Sequence, residues 1–278
     1  MKRLLSIELQ KIWKNRASRV LTLTYFVLLT FIALIASIKF DIGNFKLHFA
    51  ELGIFNFPYI WHFNTYVAGW LKLFLAIVIV SMVANEYTYG TLKQNLIDGM
   101  SKKEFILSKF LTVVFFALTS TVFIFVLSLI LGLSFSSYTE FGIIFSDLEY
   151  LLAFFVELTT FFSFCLFISI LVKRSAFALG FLFLWNIVEW IIFLILKYSL
   201  FKNQTVAENI TSFFPLSAVT NLIVEPGSRL SVVKSIGNQI GIANGKNYDV
   251  HFSSVLIAVV WIVIFMLMSY KLLKKRDL

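Results

Sequence analysis

Six stretches of the chain are almost continuously apolar, and the charged residues fall between them in blocks. A bilayer core about 30 Å thick takes roughly 20 apolar residues as a helix rising 1.5 Å per residue. The stretches 20–38, 67–84, 110–131, 151–172, 176–196 and 252–270 approach or exceed that length. Continuous runs favour helices, because the strands of a membrane barrel alternate apolar and polar residues over about ten positions. The expected architecture is an all-α membrane protein of six transmembrane helices, forming one transmembrane domain over residues 1–278.

Between the runs the pattern changes. In the leader, 1–19, Leu5, Leu9, Ile12 and Trp13 fall at i, i+4, i+7 and i+8, one stripe of a helix. Lys2, Lys11, Lys14 and Arg16 remain for water and anionic headgroups, so an interfacial helix is expected, with a plain topology flank as the alternative. Residues 85–109 contain two turn signals around a helix-sized piece. Gly90 supplies a positive φ, Thr91 offers a cap, Leu92, Leu96 and Ile97 give an apolar face, and Gly99 stops the helix. Ser101 and Glu104 then fit a capping box at the start of a long helix. Such a short amphipathic helix is either a docking surface for a soluble partner or a connector. Residues 40–66 and 197–251 are too long for simple hairpins. Within the second of these, 212–224 is apolar enough for a short interfacial helix, and 237–248 reads as a polar, glycine-rich loop.

Composition makes lipid the solvent for much of the chain. Of 278 residues, 59% are hydrophobic and 14% charged, with 33 Phe, which excludes both an ordinary soluble globule and a disordered chain. The charge distribution sets an expected orientation. Sixteen of the 24 Lys and Arg lie in the leader, in 85–109, at Lys173 and Arg174, and in the tail from Lys271 to Arg276. The loop 132–150 has neither Lys nor Arg but carries Glu140, Asp147 and Glu149. By the positive-inside rule both termini are expected in the cytoplasm of a multi-pass protein of the cell membrane, with an uncleaved first span. The net charge of +9 is then a topology signal and not a nucleic-acid footprint.

Catalytic motifs are missing from the sequence. The nearest approach to a phosphate-binding loop, Gly241 to Asn247, has the wrong spacing and the wrong last residue, so ATP and Mg, if used, must sit on another chain. No zinc-protease or serine-hydrolase motif occurs, and the single Cys165 forbids an intrachain disulfide. No bound metal or other cofactor is expected. His48, His62 and His251 lack metal-ligand spacing and are read as hydrogen-bonded or interfacial. Cys165 is read as a small core residue. Glu189 is the unusual position, an acid inside an apolar run. Trp185, Asn186 and Glu189 share one side of the fifth helix. This reads either as part of a functional site, or as a glutamate reaching the outer water or pairing with Lys72. Lys72 and Glu157 are expected to snorkel toward outer span ends.

A basic amphipathic leader, six spans, a glycine-broken loop after the second span and a long insertion before the sixth together resemble the ABC-2-type transporter permease family. The most specific part runs from Asn85-Glu86-Tyr87 through Gly90-Thr91-Leu92 to Asp98-Gly99-Met100-Ser101. Phe214-Pro215 is similar to that family's proline segment after the fifth span, and Lys173-Arg174 to the basic turn before it. The commoner proline-containing turn with a following arginine is replaced here by Gly99-Met100-Ser101-Lys102. The resemblance implies a non-enzymatic permease subunit, homo- or heterodimeric, docking cytoplasmic ABC ATPase subunits and exporting an amphipathic substrate such as a peptide antibiotic, a drug or a lipid-like molecule. It implies ATPase coupling through Glu86, Tyr87, Gly90, Thr91, Leu92, Asp98 and Ser101. It also implies that Trp185, Asn186 and Glu189 lie at the translocation path or dimer interface. The alternative is a membrane scaffold that anchors a partner and moves nothing.

Overall fold

The computed structural model describes residues 2–38, 40–42, 45–47, 53–229 and 247–276. Helix α1 (Lys2–Lys14) ends where Asn15 accepts a hydrogen bond from the Ser18 amide, 3.1 Å away, and so caps α2 (Arg16–Ser37). A two-stranded antiparallel hairpin follows, β1 (Phe40–Ile42) with β2 (Phe45–Leu47), pairing Phe40 with Leu47. Then come α3 (Tyr59–Thr88), the short α4 (Thr91–Ile97), α5 (Lys102–Phe135), α6 (Phe141–Ile144), α7 (Glu149–Val172) and α8 (Ser175–Ile195). Helix α8 runs on into a π-turn, Leu196–Leu200, before α9 (Gln204–Thr211), α10 (Pro215–Thr220), a 3-10 turn at Gly227–Arg229 and α11 (Phe252–Lys275).

Among the described residues six helices are long and apolar enough to cross a membrane, as the hydropathy pattern predicts. Their ends differ from the apolar windows. Helix α3 has 30 residues and α5 has 34, about 45 and 51 Å at 1.5 Å each, so both outrun a hydrocarbon core of about 30 Å. Hydropathy marks only the lipid-embedded part; the polar turns at 85–88 and 102–109 continue the same helices beyond it.

Helix α7 is the axis of the bundle. In the span Phe141–Val172, 83% of the most apolar window is buried, against 17% for α2, α8 and α11. It packs mainly on α3, α11 and α5. Four of its polar side chains are satisfied within the helix: Thr159, Thr160, Ser163 and Ser169 each donate to a carbonyl one turn earlier. Cys165 is fully buried among them, as the sequence predicts.

The end of the bundle that bears both termini is the basic one. There the Arg276 guanidinium donates to the carbonyls of Ile170 and Leu171 at the end of α7, and Lys102 donates to the Arg276 carbonyl at 2.9 Å. At the far end the chain closes over α3 and α7. His62 stacks on Tyr150 at 4.2 Å, its Nε2 lies 2.6 Å from the Val224 carbonyl, and Arg229 bridges His62 Nδ1 and the Tyr150 hydroxyl at 3.1 Å each. His62 is therefore hydrogen-bonded. Among the described residues no three His, Cys, Asp or Glu are grouped to hold a metal. The predicted apolar helix within 212–224 is present as α10. His48 and most of the predicted loop 237–248 lie outside the described residues.

Candidate functional site

Gly90 breaks the chain between α3 and α4. Its φ of 68° lies in the left-handed region, which lets α3 stop and α4 start in a new direction within one residue. Gly99, at φ 99°, ends α4, and Ser101 with Glu104 forms a complete capping box at the start of α5. The two turn signals read in the sequence thus produce the expected helix–turn–helix. One detail differs. Thr91 does not cap α4; Gly90 occupies the cap, and the Thr91 hydroxyl donates instead to Glu86 Oε2 at 2.6 Å.

Glu86 lies in the last turn of α3, where its charge meets the negative end of the helix dipole. Cations offset this cost. Lys109 Nζ of α5, fully buried, donates to Glu86 Oε1 at 2.8 Å and to Glu8 Oε2 of α1 at 2.6 Å. Lys11 Nζ of α1 donates to Glu86 Oε1 at 2.8 Å and to Glu8 Oε1 at 3.2 Å. Asn95 of α4 completes the shell by donating to Glu86 Oε2 at 3.2 Å. Two carboxylates and two ammoniums therefore balance, and one carboxylate joins α1, α3, α4 and α5. Burial alone would lower the Lys11 pKa, but the hydrogen bond it donates to Glu86 and the nearby charges of Glu8 and Glu86 outweigh it and hold that ammonium above the usual lysine range.

The leader behaves differently from its sequence reading. Lys11 keeps a 41% exposed side chain but also closes the ion cluster, because the face of α1 that packs inward is the one bearing Glu8 and Ile12. Trp13, on the apolar stripe expected of an interfacial helix, is 55% exposed. Sequence reasoning found Glu86 and Thr91 but missed Glu8, Lys11, Asn95 and Lys109. A signal existed: Glu8 is the lone acid among the first 40 residues, set in a run of bases.

Helix α4 thus has one face tied down and one face free. Leu92 is buried and Leu96 packs on the core, while Tyr89, Lys93, Gln94, Ile97 and Asp98 are exposed, Ile97 at 75%. Of the predicted coupling residues, Gly90 and Asp98 border the exposed face, and Glu86, Thr91 and Leu92 anchor its back. Ser101 caps α5. Tyr87 faces elsewhere: it lies under the Lys173 ammonium, 5.6 Å from its ring centre, beside the Arg276 latch.

In the second predicted group Trp185 and Glu189 form a hydrogen-bonded pair, and Asn186 and Glu189 both line a cavity of about 500 Å³ against α9 and α10. Glu189 neither reaches water nor pairs with Lys72. It is buried and accepts from Trp185 Nε1 at 2.7 Å, from the amides of Leu216 and Ser217 at 3.1 and 2.8 Å, and from the Ser217 hydroxyl at 2.9 Å. It therefore caps α10, whose first-turn amides need an acceptor and whose dipole favours an anion. Asn186 lines a side cavity of about 480 Å³ between α3, α7, α8 and α10. That cavity also holds Lys72 and Glu157, paired at 2.6 Å with side chains 18% and 7% exposed, in place of the predicted snorkelling.

Comparison with known proteins adds one family and one relative. The family described as "Protein of unknown function (DUF2705)" matches residues 26–278. The "Uncharacterized protein YhcI" of Bacillus subtilis (strain 168) is 38% identical over 63 residues, 23% of this chain and 20% of that protein. The match thus spans a fifth of that relative's length.

Proposed function

The chain belongs to the DUF2705 family, whose description assigns no activity, and from the geometry at Glu86 we propose that it is the permease subunit of an ABC-2-type, ATP-driven exporter. The observation that carries this reading is the elbow itself. A seven-residue helix stands beyond the spans with an exposed face, and its back is fixed by Thr91 and Asn95 to Glu86 at the end of α3 and, through Glu86, to α5 and α1. A force applied to that face reaches two spans and the leader helix through buried, hydrogen-bonded charges. A connector has no need of such anchorage.

In this reading the basic end faces the cytoplasm of the cell membrane and both termini lie inside. Two permease subunits, alike or different, dock two cytoplasmic ABC ATPases that hold the ATP and Mg. ATP binding favours one arrangement of the ATPase pair over the other, and α4 passes that preference to the bundle. This chain performs no catalysis. The cargo is an amphipathic molecule, and the side cavity bearing Asn186, Lys72 and Glu157 lies where such a molecule enters from the membrane.

The test begins with affinity purification of the full chain from its native membrane. An ATP-hydrolysing subunit is expected to co-elute, and Ile97→Glu is expected to release it while leaving the permease in the membrane. Co-elution of a partner without ATPase activity would favour the scaffold reading and overturn this one.

A further inference from the structure

We infer that the side cavity between α3, α7, α8 and α10 binds a zwitterionic lipid whose head bears a primary ammonium, of the phosphatidylethanolamine type. Its volume of about 480 Å³ is within the range of specific small-molecule sites. Tyr66 and Trp70 of α3, Phe161 of α7 and Phe183 of α8 give it aromatic walls. Trp70 and Phe183 are largely exposed, so the mouth of the cavity is at the outside of the bundle.

An incompletely bonded ion pair is set in this wall. Glu157 of α7 is 5% exposed and lines the cavity with one oxygen in use: Oε1 accepts from Lys72 Nζ at 2.6 Å, while Oε2 accepts no hydrogen bond among the described residues. Lys72 uses one N–H on that bond and rests over the Phe161 ring, 5.0 Å from its centre, which leaves an ammonium donor to spare. Gly69 makes room for the carboxylate, because a Cβ there would lie 3.1 Å from Glu157 Oε1.

Charge balance selects the occupant. The pair is neutral and sits among aromatic side chains, where an uncompensated charge is costly. A ligand with net charge would leave one such charge behind. A zwitterion brings one charge of each sign, its ammonium for Oε2 and its phosphate for the spare N–H of Lys72, and its hydrocarbon fits the aromatic walls. A choline head has no N–H to donate and would leave Oε2 without a hydrogen bond. The inference rests on the reading of this cavity as the cargo's entry, and it names the cargo's class.

Binding is measured by titration calorimetry on the full chain in detergent, without an ATPase, so it succeeds or fails apart from coupling. The probes are dihexanoyl phosphatidylethanolamine, the phosphatidylcholine and phosphatidylglycerol of the same chains, and glycerophosphoethanolamine, the head without hydrocarbon. The ethanolamine lipid is expected to bind saturably and the other probes about tenfold more weakly or worse, the effect of losing one charge-assisted hydrogen bond. Glu157→Gln leaves Lys72 unopposed and is expected to reverse the order, so that phosphatidylglycerol binds tightest. Lys72→Met/Glu157→Gln removes both charges together and is expected to abolish the preference between ethanolamine and glycerol lipids without altering the helical spectrum. A pair that only joins α3 to α7 gives no such order. Absence of saturable binding, equal affinity of the parent chain for ethanolamine and glycerol lipids, or a preference that persists in the double variant would overturn the proposal. So would equal binding of glycerophosphoethanolamine, which would leave the aromatic walls without a role.

Discussion

Lys109→Met is expected to lower the stability of the protein by about 3–5 kcal/mol, the cost of breaking a buried ion pair by removing one partner. Lys109 is fully buried and touches both Glu8 and Glu86. Without it two buried carboxylates share a single cation, Lys11, whose side chain is 41% exposed and therefore the weaker partner. The charge balance makes the prediction specific. Glu8→Gln/Lys109→Met removes one charge of each sign and leaves Glu86 with Lys11, so the double variant is expected to recover a large part of what the single variant loses. Glu86→Gln, which keeps Glu8 but leaves one cation in excess, is expected to resemble the single lysine variant. Thermal unfolding midpoints of these variants and the parent protein, purified in one detergent, measure this. A double variant as unstable as the sum of its two single changes would show that the four groups do not act as a balanced unit.

Gly90→Val combined with Thr91→Val is expected to uncouple transport from ATP hydrolysis, reducing export per ATP by an order of magnitude or more while the chain still inserts. The two changes act on the same joint from opposite sides. A β-branched residue at φ 68° is strained by roughly 1–2 kcal/mol, so the first valine pushes the joint away from the turn it needs. Loss of the Thr91 hydroxyl removes a 2.6 Å hydrogen bond to an ionised carboxylate, an interaction worth about 1.5–3 kcal/mol. A helix of seven residues is well below the roughly 12–15 at which an isolated helix is even marginal in water, so α4 depends on these anchors for its existence. Thr91→Ser keeps the hydroxyl and is expected to retain coupling. Transport and ATP hydrolysis measured together in reconstituted vesicles decide it, and unchanged export per ATP in the double variant would remove α4 from the coupling route.

The spans were legible because a membrane helix is declared locally, by about twenty consecutive side chains, and the elbow was legible for the same reason. Gly90, Gly99 and the Ser101–Glu104 pair act within three or four residues of themselves. The ion cluster obeys no such rule. Glu8 meets Lys109 across 101 positions and Lys11 meets Glu86 across 75, so the contacts exist only once α1, α3 and α5 are packed. In the sequence Lys11 and Lys109 look like ordinary members of a positive-inside flank, and Glu8 looks like an interruption of it.

Glu189 stands out in the sequence by the cost of a charge in an apolar run, and the sequence offers a functional site, outer water or Lys72 as its setting. The structure supplies neutral donors instead: two backbone amides, the Trp185 indole and the Ser217 hydroxyl. Pro215, at the first turn of α10, starts a short helix whose Leu216 and Ser217 amides point at the carboxylate. Nothing in the local pattern around Glu189 announces a helix that begins only at Pro215. Lys72 and Glu157 show the converse: each lies near enough to a span end to snorkel when read alone, yet the packing of α3 on α7 brings them within 2.6 Å.

The proposed role of α4 as a cytoplasmic docking element is tested most directly by a single introduced cysteine. Cys165 is buried and is the sole cysteine, so Ile97→Cys in a Cys165→Ala background places one reactive thiol on the exposed face of α4. In native membranes a short bismaleimide is expected to join that thiol to an ATP-hydrolysing subunit, with a yield that changes when ATP is added. Labelling of the same thiol by a membrane-impermeant maleimide from outside intact cells would put α4 on the wrong side of the membrane and contradict the account.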